Sequence, residues 1–487
     1  MKQQSNPTHT ILGLTCAALS AALLTLAFPP YNLGFLIFIS FIPMLVAQYR
    51  FLPAKFSSLA PAIAIGGWLG VSMVPMFGGK SFMMAAIPFI VGLISLAVDK
   101  NKRAFHECTA YRWFVLEGFL GWVGLEMIRS FIPVLATWFF VGYPLWNQPW
   151  LIQPLSIFGI YGLDLLIMLG NYALAFALLG LMENSWRLTR PARNWLVTFV
   201  ILLTVWIGLS LSLYPTSTVD APTVRVASLQ PNLPRAAHRD TSTSPEQRLA
   251  ILDKLTREAA AQGARFIVLP EMGLGFDPQV QHTQELQTLA SETQAHIVIG
   301  YVVDDENGFR NEATVLAPTG EFLGVYGKTH PTIFSGEPKT VTSGTYPIYE
   351  TSVGRLGTMI CFDAHFTDVS RQYGRQGAQI IADPSLFGGS IARSLHPFVV
   401  FRAIENRAAV IMTDVAFNSA IVDPYGHVLK LSITPEGSST TLIADVPLGI
   451  GNTLYSKLGD WLGWLSLAGL VFFAIFMPIT LRKENMK

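Results

Sequence analysis

Apolar runs long enough to cross a bilayer, which takes roughly 20 residues, recur through the first 215 positions and return once near the end. They predict helical spans at 10–28, 32–49, 56–77, 81–98, 110–130, 153–182 and 194–214, with an eighth at 459–481. Between about 223 and 447 the pattern changes. Short alternating or buried runs predict strands at 223–229, 266–270, 296–303, 311–317, 321–326, 348–351, 355–360, 379–382, 410–413, 419–422 and 441–446. Helical spacing falls between them at 244–262, 280–294, 368–375 and 394–407. Strands alternating with helices, plus hairpins, predict an α/β sandwich. The expected architecture is a polytopic α-helical membrane unit of about eight helices carrying an inserted α/β domain. Residues 1–215 form seven helices, 223–447 the inserted domain and 459–481 the closing helix.

Composition supports this division. The chain is 51% hydrophobic and 13% charged, against about 25% charged in soluble proteins. Basic residues cluster on alternate loops: Arg50 and Lys55; Lys100, Lys102, Arg103 and Arg112; Arg187, Arg190 and Arg193. Lys2 and the tail residues Arg482, Lys483 and Lys487 join that side, whereas the opposite loops hold little beyond Lys80 and Arg129. Positive loops stay in the cytoplasm, so the inserted domain is expected outside it. The first run has no small-x-small site before Pro29-Pro30 and is read as an uncleaved helix. A net charge of +1 without a basic aromatic patch speaks against nucleic acid as a partner.

The inserted domain contains one of three cysteines, Cys361, after the run Gly357–Ile360; Cys16 and Cys108 lie among the helices. A lone thiol in an exported domain is a nucleophile candidate, although a free cysteine is more often a buried small hydrophobe. Two other strand-like runs end in chemistry, one at Glu271 and one at Lys328. A carboxylate can take a thiol proton during attack. An ammonium near the reacting carbonyl can stabilise an oxyanion, together with the backbone N–H of Phe362. That chemistry is acyl transfer through a thioester, without metal or cofactor. His330, His365 and His396 have no metal-ligand spacing. Among the spans, Glu126, Arg129 and Asp164 are ionisable residues, functional candidates by default, with an i, i+3 Glu126–Arg129 pair as the plainer reading. The aromatic segment from Trp138 to Trp150 is expected as an interfacial belt, or else a lip for lipid entry.

The order Glu271, Lys328, Cys361 in these contexts resembles the nitrilase (carbon–nitrogen hydrolase) superfamily over about 223–447. The resemblance implies an αββα sandwich, with Glu271 as base, Lys328 as oxyanion stabiliser and Cys361 as nucleophile. It also implies a second glutamate, matched by Glu337, with Phe362, Asp363 and His396 as accessory or substrate-contacting positions. Seven helices, an exported nitrilase-like domain and a closing helix look like the apolipoprotein N-acyltransferase family. Phe28–Tyr31, Leu125–Arg129, Gly159–Gly162, Arg402–Arg407, Asp423–Gly426 and Leu454–Trp461 are similar to that family's segments. Departures are a short arm, Pro338–Pro347, Asp383-Pro384-Ser385-Leu386-Phe387-Gly388 without the family's Trp, Thr413-Asp414-Val415-Ala416, and Asp363 in place of Glu. The resemblance implies a phospholipid acyl donor, a lipoprotein acceptor and a monomer in the bacterial inner membrane, its catalytic domain on the extracytoplasmic side. A membrane-anchored hydrolase of a small amide or nitrile is the alternative, and a non-catalytic lipid-binding module is a third reading.

Overall fold

The computed structural model describes residues 7–76, 82–98, 101–183, 188–215, 222–234 and 243–485. Lys2, Lys80, Lys100, Arg187 and Lys487, which entered the expected orientation, lie outside the described residues. Among the described residues six helical segments are long and apolar enough to cross a membrane: Pro7–Ala27, Gly34–Phe51, Ala54–Met76, Leu155–Glu183, Arg190–Leu213 and Trp461–Glu484. The two remaining predicted spans correspond to helices of 17 residues, Phe82–Val98 and Phe114–Ser130. Phe114–Ser130 packs along the closing helix. Gly124 permits that approach, because a Cβ there would come within 2.7 Å of Leu470 and the Ser466 carbonyl. Small residues at such contacts let apolar helices pack by van der Waals fit.

Backbone irregularities among these helices find polar partners, as an apolar surrounding demands. Gly34–Phe51 is broken into short helical pieces. Its loosened groups at Ile37 and Phe41 bond to Asn171, which donates to the Ile37 carbonyl at 2.9 Å and accepts from the Phe41 N–H at 3.0 Å. The expected loop near 100–112 contains a short helix, Lys102–Cys108. Arg103 within it is buried and donates to the Gln48 and Leu52 carbonyls at 3.0 and 2.6 Å, so it fastens neighbouring segments.

The strands are β1 (Thr223–Gln230), β2 (Phe266–Val268), β3 (His296–Asp305), β4 (Gly308–Leu316), β5 (Phe322–Gly327), β6 (Tyr349–Thr351), β7 (Gly354–Thr358), β8 (Ile380–Ser385), β9 (Ala409–Asp414), β10 (Asn418–Val422), β11 (Val428–Ile433) and β12 (Thr440–Pro447). They form two six-stranded sheets, in the orders β12-β1-β2-β3-β4-β5 and β11-β10-β9-β8-β7-β6. The sheets pack through β1–β9, β2–β8 and β3–β8 contacts. Pro245–Ala261 and Thr283–Thr293 cover the first sheet with Leu249, Leu252, Leu286 and Leu289. Asp368–Arg375 and His396–Asn406 cover the second, which gives an αββα sandwich. β11 was not among the predicted strands. It is a half-exposed edge pairing with β10, and its only signal is the short alternation Leu429–Ile433.

The second helical layer rests on the apolar helices, with every residue of His396–Asn406 buried. Leu155–Glu183 kinks at Gly159, where φ is +63°, a conformation that favours glycine. The kink frees the Ile160 N–H, which donates to Glu405 Oε1 at 3.1 Å. Arg402 pairs with Glu405 at 3.0 Å, both fully buried, and Arg407 reaches Gln153 Oε1 at 2.6 Å. The aromatic segment departs from the expected belt. Trp138, Phe139, Phe140 and Tyr143 are buried, wedged between helix ends and sandwich, because Trp138 and Tyr143 stack on His365, Phe398 and Phe401.

Candidate active site

The three candidate residues follow β2, β5 and β7, the first two strands in one sheet and the third in the other. β7 stops at Thr358, so Cys361 is not its last residue; it opens a tight turn, Cys361–His365, with φ +56°. That left-handed geometry costs a non-glycine residue roughly 1–3 kcal/mol and persists only where its surroundings impose it. Here Asp383 on β8 imposes it by accepting the Cys361 N–H at 2.8 Å, and the thiol points to the Leu386 carbonyl at 3.7 Å. Lys328 follows β5 and is tied back to β4 by its N–H to the Asn311 carbonyl at 3.0 Å. Glu271 lies beyond β2. All three are nearly fully buried.

Lys328 Nζ lies 2.8 Å from Glu271 Oε1 and 2.8 Å from Glu337 Oε2. Asn311 Nδ2 bridges the same two carboxylates, at 2.6 Å to Glu271 Oε1 and 2.7 Å to Glu337 Oε1. The Thr332 N–H adds a bond to Glu337 Oε2 at 2.8 Å. Burial opposes the Lys328 charge, but Glu271, Cys361 and Glu337 outweigh it and hold the ammonium well above the usual lysine range. For Glu337, burial is outweighed by Lys328, which keeps the carboxyl below its usual range. Burial pushes the Cys361 thiol well above its usual range, Glu271 adds to the rise, and Lys328 recovers only part of it. Cys361 is therefore held as a thiol, with the Glu271 charge opposing its ionisation.

The accessory candidates separate. Glu337 belongs to the cluster. Asp363 accepts from the His330 N–H, the Tyr326 hydroxyl and the Ile360 N–H at 2.8, 2.7 and 3.0 Å, which makes it a brace beneath the Cys361 turn. The Phe362 ring packs edge-on against Phe334 with centroids 5.5 Å apart. His396 lies away from the three, its ring against Trp146 and its Nδ1 3.3 Å from Asn418 Nδ2. Asn311 was not foreseen as part of the site; its available signal was an amide at the start of a predicted strand. Asp383 was singled out only within the departing segment Asp383–Gly388, without its bond to the Cys361 N–H. Among the described residues no cluster of three or more His, Cys, Asp or Glu could hold a metal ion.

Two kinds of cavity adjoin the turn. A small apolar cleft between helix ends and sandwich is lined by Phe28, Met76, Trp138, Phe139, Tyr143 and Phe398, among others. Phe398 stacks on His365, the last residue of the Cys361 turn, at 4.0 Å. A second small cleft between helices shares the Trp138 and Phe139 walls and is lined also by Leu69, Met73, Ile87 and Val91. A larger, more open hollow lies past Leu386, between Asn232–Pro234 and Val415–Phe417.

Comparison with known proteins gives two family models on this chain. Residues 225–452 match "Carbon-nitrogen hydrolase", and residues 20–173 match "Apolipoprotein N-acyltransferase N-terminal domain". An apolipoprotein N-acyltransferase of Geobacter metallireducens is 28% identical, covering 96% of this chain and 95% of its own length. One from Gloeobacter violaceus is 24% identical, covering 96% and 94%. A nitrilase of Pyrococcus abyssi is 30% identical over 35% of this chain and 69% of its own length.

Proposed function

The chain belongs to the apolipoprotein N-acyltransferase family, within the carbon–nitrogen hydrolase superfamily, and from that premise we propose how its residues carry out lipoprotein N-acylation. It is an acyltransferase of the bacterial inner membrane. Both of its substrates, a phospholipid and a lipoprotein, are lipids. The observation that carries the reading is the cluster of Cys361, Lys328, Glu271 and Glu337, near whose Cys361 turn apolar clefts lie between sandwich and helices.

In the first half-reaction the Cys361 sulfur attacks the donor ester carbonyl, and its proton passes to Glu271. A thiolate beside an ionised Glu271 would be two like charges in a buried site. Moving the proton to Glu271 leaves one thiolate facing the Lys328 ammonium. Lys328 and the Phe362 N–H stabilise the tetrahedral oxyanion. As the C–O bond breaks, Glu271 returns the proton to the departing lysophospholipid oxygen, leaving the acyl group as a thioester. In the second half-reaction the α-amine of the lipoprotein's diacylglyceryl-cysteine attacks the thioester. Glu271 takes the amine proton and passes it to the leaving sulfur, so amide and free thiol are the products. Glu337 and Asn311 hold Glu271 and Lys328 in place throughout. About eight spans, with the sandwich on the extracytoplasmic face, would put Cys361 at the leaflet that carries both lipids.

The test is mass spectrometry of the intact full chain after incubation with phospholipid. The expected product is one acyl group on Cys361, removable by hydroxylamine and lost on adding a diacylglyceryl lipopeptide. Folded protein that never acquires the adduct would sink the mechanism.

A further inference from the structure

Glu126 and Arg129 on Phe114–Ser130, and Asp164 on Leu155–Glu183, take no part in that chemistry. They are expensive to keep among apolar helices, and they converge on one loop, Ala136–Tyr143. Glu126 Oε1 accepts the Trp122 indole N–H at 3.0 Å and the Val141 N–H at 3.4 Å. Arg129 does not make the plain i, i+3 pair with Glu126. It donates to the Trp138 carbonyl at 3.0 Å, with its guanidinium 5.1 Å from the Phe140 ring centroid. Asp164 lies against Gly142, where a Cβ would come 2.6 Å from its Oδ1.

The loop, bonded by Glu126 and Arg129 and packed against Asp164, forms a wall of the apolar cleft with Trp138, Phe139 and Tyr143. It also touches the nucleophile's turn, since the Thr137 hydroxyl donates to the His365 carbonyl at 2.6 Å. An aromatic loop fixed by packing alone could settle in several arrangements of similar energy. Directional bonds to its backbone at Trp138 and Val141 select one. We propose that Glu126, Arg129 and Asp164 are positioning residues that set the depth and shape of the cleft for the donor acyl chain, acting through the Ala136–Tyr143 loop. This rests on reading that cleft as the acyl-chain site of the transfer reaction.

The experiment uses the full chain in detergent, phospholipid donors of short, intermediate and long acyl chains, and a diacylglyceryl lipopeptide acceptor. Glu126→Leu and Gly142→Ala should change the ratio of kcat/KM between long and short donors by about tenfold or more, the discrimination a few methylenes command in an apolar pocket. The shift should lie in KM for the donor. Transfer from pre-acylated Cys361 to the lipopeptide should keep its rate. Glu126→Gln retains an acceptor for the Val141 N–H and should restore the wild-type preference. Equal losses for every donor, with the ratio unchanged, would overturn the proposal; if Glu126→Leu does not fold, Gly142→Ala decides. Wild-type protein that forms no acyl adduct with any donor would instead refute the transfer reading on which the proposal stands.

Discussion

Replacing Lys328 with Met tests the centre of the site most directly. Met nearly matches Lys in length, so the change removes a charge while largely filling the space. The ammonium lies 2.8 Å from a carboxylate oxygen of both Glu271 and Glu337 and is 1% exposed. At an effective dielectric of about 20, each contact is worth about 6 kcal/mol of attraction. Most of that offsets the desolvation of the ions, and the net loss on stranding a buried partner is about 3–5 kcal/mol. For a domain of this size each kcal/mol moves the melting temperature by about 2–4 °C, so Lys328→Met should melt roughly 6–20 °C lower. Catalysis should fall separately, by the ~10²–10³-fold that one lost oxyanion donor costs. Adding Glu337→Gln removes one stranded charge. The double variant should recover stability and remain inactive.

The pH dependence carries a sign. Lys328 keeps Glu337 below its usual range in the wild type. That stabilisation is present above the unfolded value of about 4.3 and is lost as pH falls through the lower folded value. Without Lys328, burial at Glu337 is opposed only by the Thr332 N–H and Asn311 bonds, so its carboxyl rises relative to the wild type and the stability gap between Lys328→Met and the wild type should narrow as pH falls. The assays are thermal melts in detergent across pH, and lipopeptide acylation at saturating donor. A variant that melts with the wild type, or a double variant that melts lower still, would refute the electrostatic account. Acylation at the wild-type rate would remove Lys328 from oxyanion stabilisation.

Two further changes probe the seam between sandwich and helices. Gly159→Ala places a Cβ at φ +63° and against the Tyr455 ring; left-handed strain of about 1–2 kcal/mol, plus overpacking, should lower the melting temperature measurably, and an unchanged melt would contradict the kink. Burial pushes Glu405 up to about 7, against the pull of Arg402 and with the help of Asp460. Its raised value means a stabilising contribution present at low pH and lost as pH rises through about 7, so Glu405→Gln should flatten the melting curve between pH ~5 and ~8, and an identical slope in both proteins would count against a titrating Glu405.

Much of this architecture was readable in the chain, for local reasons. Apolar runs of bilayer length and strands such as Ile297–Ile299 declare themselves by burial on both faces. β11 did not, because an exposed edge needs only a few alternating residues. Glu271, Lys328 and Cys361 could be singled out because each ends an apolar run. Asn311 could not, although it touches both carboxylates, since an amide inside a strand looks the same whether it serves a site or a turn. Trp138 and Tyr143 stayed open between an interfacial belt and a lip for lipid entry, for a related reason. An aromatic at a helix end fits equally well against lipid headgroups or against a second domain, and only the partner's position distinguishes the two.

That last ambiguity bears on how the parts work together. The groups joining sandwich to helices are far apart in sequence: Ile160 with Glu405, Gln153 with Arg407, Thr137 with His365. In the sequence, Ile160, Glu405 and Arg407 had appeared only within similar segments, and none of these residues had a partner. Once paired, they share a logic. A kinked helix supplies a free N–H, a buried carboxylate accepts it, and Arg402 balances the carboxylate while donating to the Phe366 carbonyl at 3.0 Å, one residue past the Cys361 turn. The turn is thus fixed by Asp383 from within its own sheet and by Arg402 and Thr137 from the helix side. A thiol held from both sides cannot follow a mobile lipid. Donor and acceptor must therefore be brought to it, and this places the burden of selectivity on the cleft walls rather than on the nucleophile.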